Sequence, residues 1–462
     1  MNDQMRKQLI VGLWLFILLI SWSVIQAADY TYGDYYNKQL TTTSTGNTRD
    51  PSISGKGDKI VFWSNQDLVG NGNSLDAVFL WTSPSSITQI ATETWGDTLP
   101  SISFEGSRVA FERLYWVNAV MLWKSADNST TYVANTGFVG PDINPVKISG
   151  NGSKIYFRTP GKVYWPGGPG GGLGDNYNAL FLWDEGTGSV TKIDTTESFT
   201  AVPDIYLSVN YDGTLAVYST ICTTGSYAGK NPDANWEIYM WNKSDGSITQ
   251  IASSLGGIGS IEPSITSYTI STTTGTTSMT KIAFSSDRNF VVNNNPDNNP
   301  EIFLWTIYGS YTSTNTGSYT QITSTSVSGG ACRNPQISRD GKFVAFTSNV
   351  DIVSGGRSLL TGGTSAIFVW NANGAITQVN TNSSDNPVIG SYTGLYESGD
   401  IQYGPRIAYF STSDGSEEIY LATSTIAVPA TSRWGLIILM LLIATLAVFM
   451  LKRRRKTDGG EA

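Results

Sequence analysis

Histidine is missing from all 462 residues of this chain. Without imidazole there is no Ser-His-Asp triad, no Cys-His pair and no His-ligated zinc or haem, so several enzyme classes are excluded before any motif is sought. Charge is scarce as well: Asp, Glu, Lys and Arg make up 14% of the chain, against about 25% in ordinary globular domains. The 29 basic and 37 acidic residues give a net charge of -8. Eight of the basic but only three of the acidic residues lie before residue 29 or after residue 428. The stretch between is therefore more acidic than the whole, which argues against a nucleic-acid surface. Abundant instead are glycine, with 48 residues, and aromatics at 12%. That is the composition of an aromatic, turn-rich β protein and not of a disordered one.

The two ends read as addressing segments. Arg6 and Lys7, an apolar run from Leu9 to Ile20 and the small pair Ala27-Ala28 make residues 1–28 a secretory signal peptide, cut near Ala27. The alternative is an uncleaved N-terminal anchor, since Trp22, Val24 and Ile25 prolong the apolar stretch. Either version exports the body of the chain. Residues 434–451 contain no charge, enough for a helix of about 27 Å, close to the thickness of a bilayer's hydrocarbon core. The basic block Lys452 to Lys456 then sets a cytoplasmic tail, 452–462. The approach to that helix, Val428-Pro429-Ala430-Thr431-Ser432-Arg433-Trp434-Gly435, resembles the Ile-Pro-Thr-Leu type of C-terminal sorting signal of Gram-negative bacteria. Pro429, Ser432, Trp434 and Gly435 match that pattern and Val428 is a conservative change, whereas Ala430 and Thr431 depart from it. The resemblance implies an exosortase-type sorting enzyme as partner, which would remove the helix and pass the body to the cell surface. Without cleavage, the same segment is a permanent membrane anchor.

Between the ends one unit recurs seven times. Six apolar strands close on Trp81, Trp123, Trp183, Trp241, Trp305 and Trp370, and a seventh, Ile419-Tyr420-Leu421-Ala422, has lost its Trp. Ahead of each lies a strand with a Gly five residues before an aromatic, as in Gly57 and Phe62 or Gly341 and Phe346; only the fifth copy, at Phe284, lacks the Gly. A Pro opens every copy, at Pro51, Pro100, Pro145, Pro203, Pro263, Pro335 and Pro387, and a short polar strand such as Ile87-Thr88-Gln89-Ile90 ends it. Four short strands per copy predict an all-β, seven-bladed propeller over residues 29–425, with 426–433 as linker and sorting motif. The seventh copy stops at Ala422 without its fourth strand, while Asn37-Lys38-Gln39-Leu40-Thr41 stands unpaired ahead of the first Pro. That segment is expected beside Glu418 to Ala422, closing the ring with the chain's own ends. The run Pro335-Gln336-Ile337-Ser338-Arg339-Asp340-Gly341 with Ala345-Phe346 resembles TolB-like propeller repeats, which are related in shape to WD repeats. The resemblance implies the fold and leaves function open, because propellers host binding, scaffolding and catalysis alike.

The loops between second and third strands are long, at 160–178, 221–236, 287–300 and 349–365, and share one face. Long loops on a rigid scaffold are a natural binding surface, the alternative being tolerated insertions. Tyr164, Trp165, Tyr177, Tyr227 and Trp236, in or beside these loops, are the candidate ligand-face aromatics, whereas the repeated Trp residues are expected between neighbouring sheets as packing. Asp67, Asn71, Asn73 and Asp76, and Asp287, Asn293, Asn295, Asp297 and Glu301, are oxygen-rich enough for calcium, yet they lack the EF-hand spacing and also suit ordinary turns. No other cofactor is suggested. Cys222 and Cys332, the only thiols, fall on the loop face in a compartment that permits a disulfide, although on non-adjacent blades.

No catalytic motif stands out, so the expectation is a non-enzymatic, envelope-targeted module for binding, adhesion or interaction, its ligand a protein or glycan. The competing readings are a carbohydrate-active hydrolase working with Asp or Glu, and a periplasmic scaffold held permanently at the inner membrane.

Overall fold

In the computed structural model, residues 35–424 are described apart from short internal stretches, the longest being 196–205, 310–316, 354–364, 381–387 and 390–404. The proposed signal peptide, sorting motif, membrane helix and basic tail lie outside the described residues, as do Tyr177, Asn73 and Asn293. Among the described residues no helix is long and apolar enough to cross a membrane.

Seven four-stranded antiparallel sheets succeed one another along the chain. The first is built from Thr48–Ile53, Lys59–Ser64, Ala77–Thr82 and Ser86–Ala91, paired in that order from the inside outward. The next five repeat it, and the seventh consists of Val388–Ile389, Arg406–Thr412 and Glu417–Ser424 with Tyr35–Gln39 as its outermost strand. The central strands are buried on both faces, and successive side chains enter alternate neighbouring cores with the period of two that a pleated strand imposes. The result is seven separate cores. Each is shared by two neighbouring sheets: Val61, Val78 and Leu80 of the first meet Phe111, Met121 and Trp123 of the second, and so on around the ring. The last core joins Phe62, Phe79 and Trp81 of the first sheet to Ala408, Ile419 and Leu421 of the seventh. The chain is a closed seven-bladed β-propeller. The recurring Trp residues fill these interfaces, with Trp81, Trp123, Trp241 and Trp305 buried and Trp183 and Trp370 half-buried.

The repeated Pro has a physical reason. Among the described residues it lies on the innermost strand in blades one, five and six and directly before it in blades two and three, at the edge that faces the axis, where a residue without an N–H breaks no ladder. In three blades it sits at a bulge: the register slips between Arg49 and Ser52, Ile261 and Ser264, and Arg333 and Gln336. The residues before these prolines, Asp50, Glu262 and Asn334, have φ of 56°, 59° and 55°.

Closure comes from the N-terminal strand, in the sheet where it was expected. Asn37 pairs with Ala422, Lys38 with Leu421 and Gln39 with Tyr420, and the ladder starts two residues earlier, at Tyr35 with Ser424. Leu40 N–H continues it onto the Ile419 carbonyl at 2.8 Å. Glu418, 1% exposed, then collects the adjoining segment: its carboxylate accepts from the Thr41 hydroxyl at 2.6 Å and from the backbone N–H and hydroxyl of Thr43. Blade five uses the same device, Glu301 accepting from the Thr323 hydroxyl and from the N–H and hydroxyl of Thr325. Gln39 and Gln321 likewise each donate to the carbonyl two residues on, at 2.8 Å. Thus Gln39-Leu40-Thr41-Thr42-Thr43 holds blade seven as Gln321-Ile322-Thr323-Ser324-Thr325 holds blade five.

Candidate functional site

The turns between first and second strands converge on the axis. Their Ser hydroxyl accepts the N–H five residues on, from Lys59, Arg108, Lys154 and Phe343 at 3.0–3.1 Å, and Asn210 does the same for Leu215. Gly57, Gly106, Gly152, Gly213 and Gly341 take φ of 63–75° in these turns, which explains their recurrence. Backbone bonds step from blade to blade, Gly55 N–H to Phe104 O at 2.7 Å, Phe104 N–H to Gly150 O at 2.7 Å and Asn151 N–H to Tyr211 O at 2.8 Å. In five blades a basic side chain three residues before the aromatic spans the same gap, whereas blades four and six carry Leu215 and Phe343 there. Lys59, Arg108 and Lys281 reach the carbonyls of Gly106, Gly152 and Gly341 on the next blade, Lys154 that of Asp212, and Arg406 of blade seven that of Gly57 of blade one at 3.1 Å.

At the centre of this face three turn residues from non-adjacent blades touch. The Arg339 guanidinium of blade six lies 3.6 Å from the ring centroid of Tyr211 in blade four and 4.4 Å from that of Phe104 in blade two. The two rings meet edge to face at 5.7 Å. Gly55 and Gly150 make room, since a Cβ there would fall 2.0 Å from the Phe104 ring and 2.4 Å from the Tyr211 ring.

Beside this cap lies a cleft of about 380 Å³. Blade five, which lacks the tight Gly turn, instead extends its inner hairpin as Ser260–Thr272 and Gly275–Ser286. Ser267, Tyr268 and Thr269 of that extension form one wall, and Tyr211, Asp212, Arg339 and Asp340 the other. The Asn210 amide fastens to the Ser267 hydroxyl at 2.8 Å, and the Tyr268 hydroxyl donates to Met279 Sδ at 2.9 Å. Burial, then the neighbouring Asp340 and Tyr308, pushes the Tyr268 phenol up. Burial lowers the pKa of the adjacent Lys281, with Asp340 opposing it. Asp340 Oδ1 accepts from the Ser338 hydroxyl at 2.7 Å and Lys342 N–H at 3.0 Å, and its Oδ2 lies 3.4 Å from the Lys342 ammonium. Asp212 is exposed and uses Oδ1 for the Thr214 hydroxyl and N–H.

On the opposite, long-loop face the described candidates Tyr164, Trp165, Tyr227 and Trp236 sit at different depths. Tyr227 is fully buried and not a surface residue: its hydroxyl donates to Asp194, lies 2.9 Å from the Tyr218 hydroxyl, and its ring packs edge-on against Tyr239. Burial pushes its phenol, and that of Tyr218, well up. Trp165 packs half-buried on the core between blades two and three, and Tyr164 is tied by its backbone to Asn135 at 2.8 Å in both directions. Trp236 is half-buried on blade four, its carbonyl accepting from Ser260 N–H. On this side a second groove, about 510 Å³, runs between Thr323–Ser326 and the start of the blade-six loop at Val350–Val353.

The oxygen-rich stretches are turns. Asp67 accepts backbone N–H groups from Val69, Asn71 and Gly72 at 3.3, 3.1 and 2.7 Å, and the Asn71 amide donates to Gln89. Asp76 directly precedes the third strand of blade one. Asp287 accepts from Gly259 N–H and pairs with Arg288, Asn295 donates to the Asn299 carbonyl, Glu301 is engaged by Thr323 and Thr325, and Asp297 is exposed. Among the described residues no group of three or more acidic or cysteine side chains could hold a metal ion. Cys222 and Cys332 are both free and buried. Each belongs to a different core, Cys222 between blades three and four and Cys332 between blades five and six. Burial pushes the Cys332 thiol up to about 12, Glu301 adding to it.

No protein-family model and no curated protein matches the chain. Solved structures do share its outline. The β-propeller domain of the Trilobed protease from Pyrococcus furiosus is 12% identical over 81% of this chain and 95% of its own, with a TM-score of 0.47. An oligogalacturonate lyase in complex with manganese is 13% identical over 86% and 99%, with a TM-score of 0.45. TolB from Acinetobacter baumannii is 14% identical over 87% and 82%, with a TM-score of 0.36. Likenesses this distant say nothing of activity, and the fold here rests on the strand pairing itself.

Proposed function

We propose that the protein is an exported, cell-envelope-targeted β-propeller that acts as a binding, adhesion or interaction module and is sorted through its C-terminal segment. The observation that carries the binding reading is the cleft beside the axial cap, a preformed concavity that joins tyrosine rings to a guanidinium and carboxylates on tight turns. The hydrolase alternative also has two carboxylates there, Asp212 and Asp340. One stands in open solvent and the other is taken up by Ser338 and Lys342, so neither occupies the apolar pocket in which a glycosidase keeps its general acid. Sugar or peptide turnover lost on a single carboxylate-to-amide change would overturn the binding reading.

The sorting reading rests on Pro429, Ser432, Trp434 and Gly435 in register before the apolar run and the basic block. Cell fractionation with mass measurement of the mature C-terminus tests it. Loss of everything after about residue 430 is the expected result, in keeping with the cleavage the motif implies. Recovery of Lys452 to Lys456 in the inner membrane would instead make the segment a permanent anchor.

A further inference from the structure

We infer that the cleft between blades four, five and six is a saccharide site that takes a neutral, polyhydroxylated chain; this rests on the binding reading above and gives it a ligand class. The Arg339 guanidinium is held 3.6 Å from the Tyr211 ring centroid and 4.4 Å from that of Phe104, and among the described residues no acceptor meets its N–H groups. Asp212 uses one oxygen for its own turn and leaves Oδ2 without a partner among the described residues. The two line the same cleft and do not pair with each other. A fixed set of unspent donors beside an unspent acceptor suits a ligand whose groups both donate and accept, which is what a hydroxyl does.

The charges around the cleft select against ions of either sign. A polyanion would meet Asp212 and Asp340, and a polycation would meet Arg339, Lys342 and Lys281. The half-buried Tyr268 ring, held through its hydroxyl by Met279, offers the apolar surface on which the C–H face of a sugar packs. The volume, about 380 Å³, lies in the range of small-ligand sites.

The test places full-length protein, in a non-glycosidic detergent, on an array of neutral gluco-, galacto-, manno- and xylo-oligosaccharides, with polygalacturonate and polylysine as charged probes. One neutral class is retained, and Asp212→Asn and Arg339→Lys each weaken retention about 10- to 100-fold, as loss of a charge-assisted hydrogen bond would. Asp212 is exposed and asparagine keeps an oxygen for Thr214, so this variant is expected to melt as the wild type does. Neutral-glycan retention unchanged in both variants overturns the inference and leaves the binding module standing, with its site elsewhere. Retention of only a charged probe, or of none, also overturns it. Release of reducing sugar that Asp212→Asn abolishes would instead overturn the binding-module reading itself.

Discussion

Glu418 and Glu301 stand at one register of two different blades, and each buried carboxylate collects a Thr-x-Thr segment from an outer strand. Replacing Glu418 by Ala strands the Thr43 N–H and two hydroxyls, each unmet buried group costing about 1–3 kcal/mol. Partial hydration of the exposed rim reduces that sum, so the expected loss is about 2–4 kcal/mol, read as a lower urea midpoint by tryptophan fluorescence. Glu418→Gln, which keeps the acceptor oxygen, should lose less. An equal loss in both variants would mean that the charge, and not the hydrogen bonding, does the holding.

Glu262 behaves differently. Burial raises its pKa, opposed by the Asn334 N–H and by Arg333. A carboxyl whose folded pKa exceeds its unfolded one favours the native state while protonated, and that contribution fades as pH rises from the ordinary carboxylate range through the raised value. Glu262→Gln should therefore be at least as stable as the wild type at neutral pH and less sensitive to pH across the weakly acidic range. Parallel pH profiles of the urea midpoint for the two proteins would show that Glu262 does not contribute.

At the scale of the element, the readable features were the repeated ones. Strands ending on Trp and the Gly-to-aromatic spacing revealed the blades, because one environment, a sheet packed between two others, recurs seven times. The closing strand was readable because Asn37 to Thr41 had no partner of its own, although the ladder begins two residues earlier, at Tyr35. The basic residue three before the aromatic in five of the blades was there to be read too, and it marks the contact to the next blade. Blade five's overlong hairpin was signalled only by its missing Gly. Tyr227 misled, because Asp194, from the preceding blade, draws it into the core. The cleft was hidden because Tyr211 and Arg339 lie on turns of blades four and six and become neighbours only at the axis. Deleting residues 29–42 removes the closing strand and should expose the edge of Glu417–Ser424, lowering the melting temperature or causing aggregation. An unchanged melt would mean that the ring closes by other means.

For the whole molecule, stability is distributed over seven shared cores. The one between blades seven and one joins sheets at opposite ends of the sequence. Its lock includes the Tyr35–Gln39 ladder, the Glu418 carboxylate, the Arg49 ion pair with Glu417 and the Arg406 bond to Gly57. A rigid closed ring in turn keeps the cleft preformed, since Tyr211 and Arg339 hold their places only if the blades between and around them cannot splay. Native-state amide hydrogen exchange, resolved by residue, tests this account most directly. Closure predicts that the amides of residues 36–40 exchange as slowly as those of Ile419 to Ala422, and that Glu418→Ala speeds both sets together. Exchange of residues 36–40 at the rate of an unstructured chain, with Ile419 to Ala422 still protected, would contradict it.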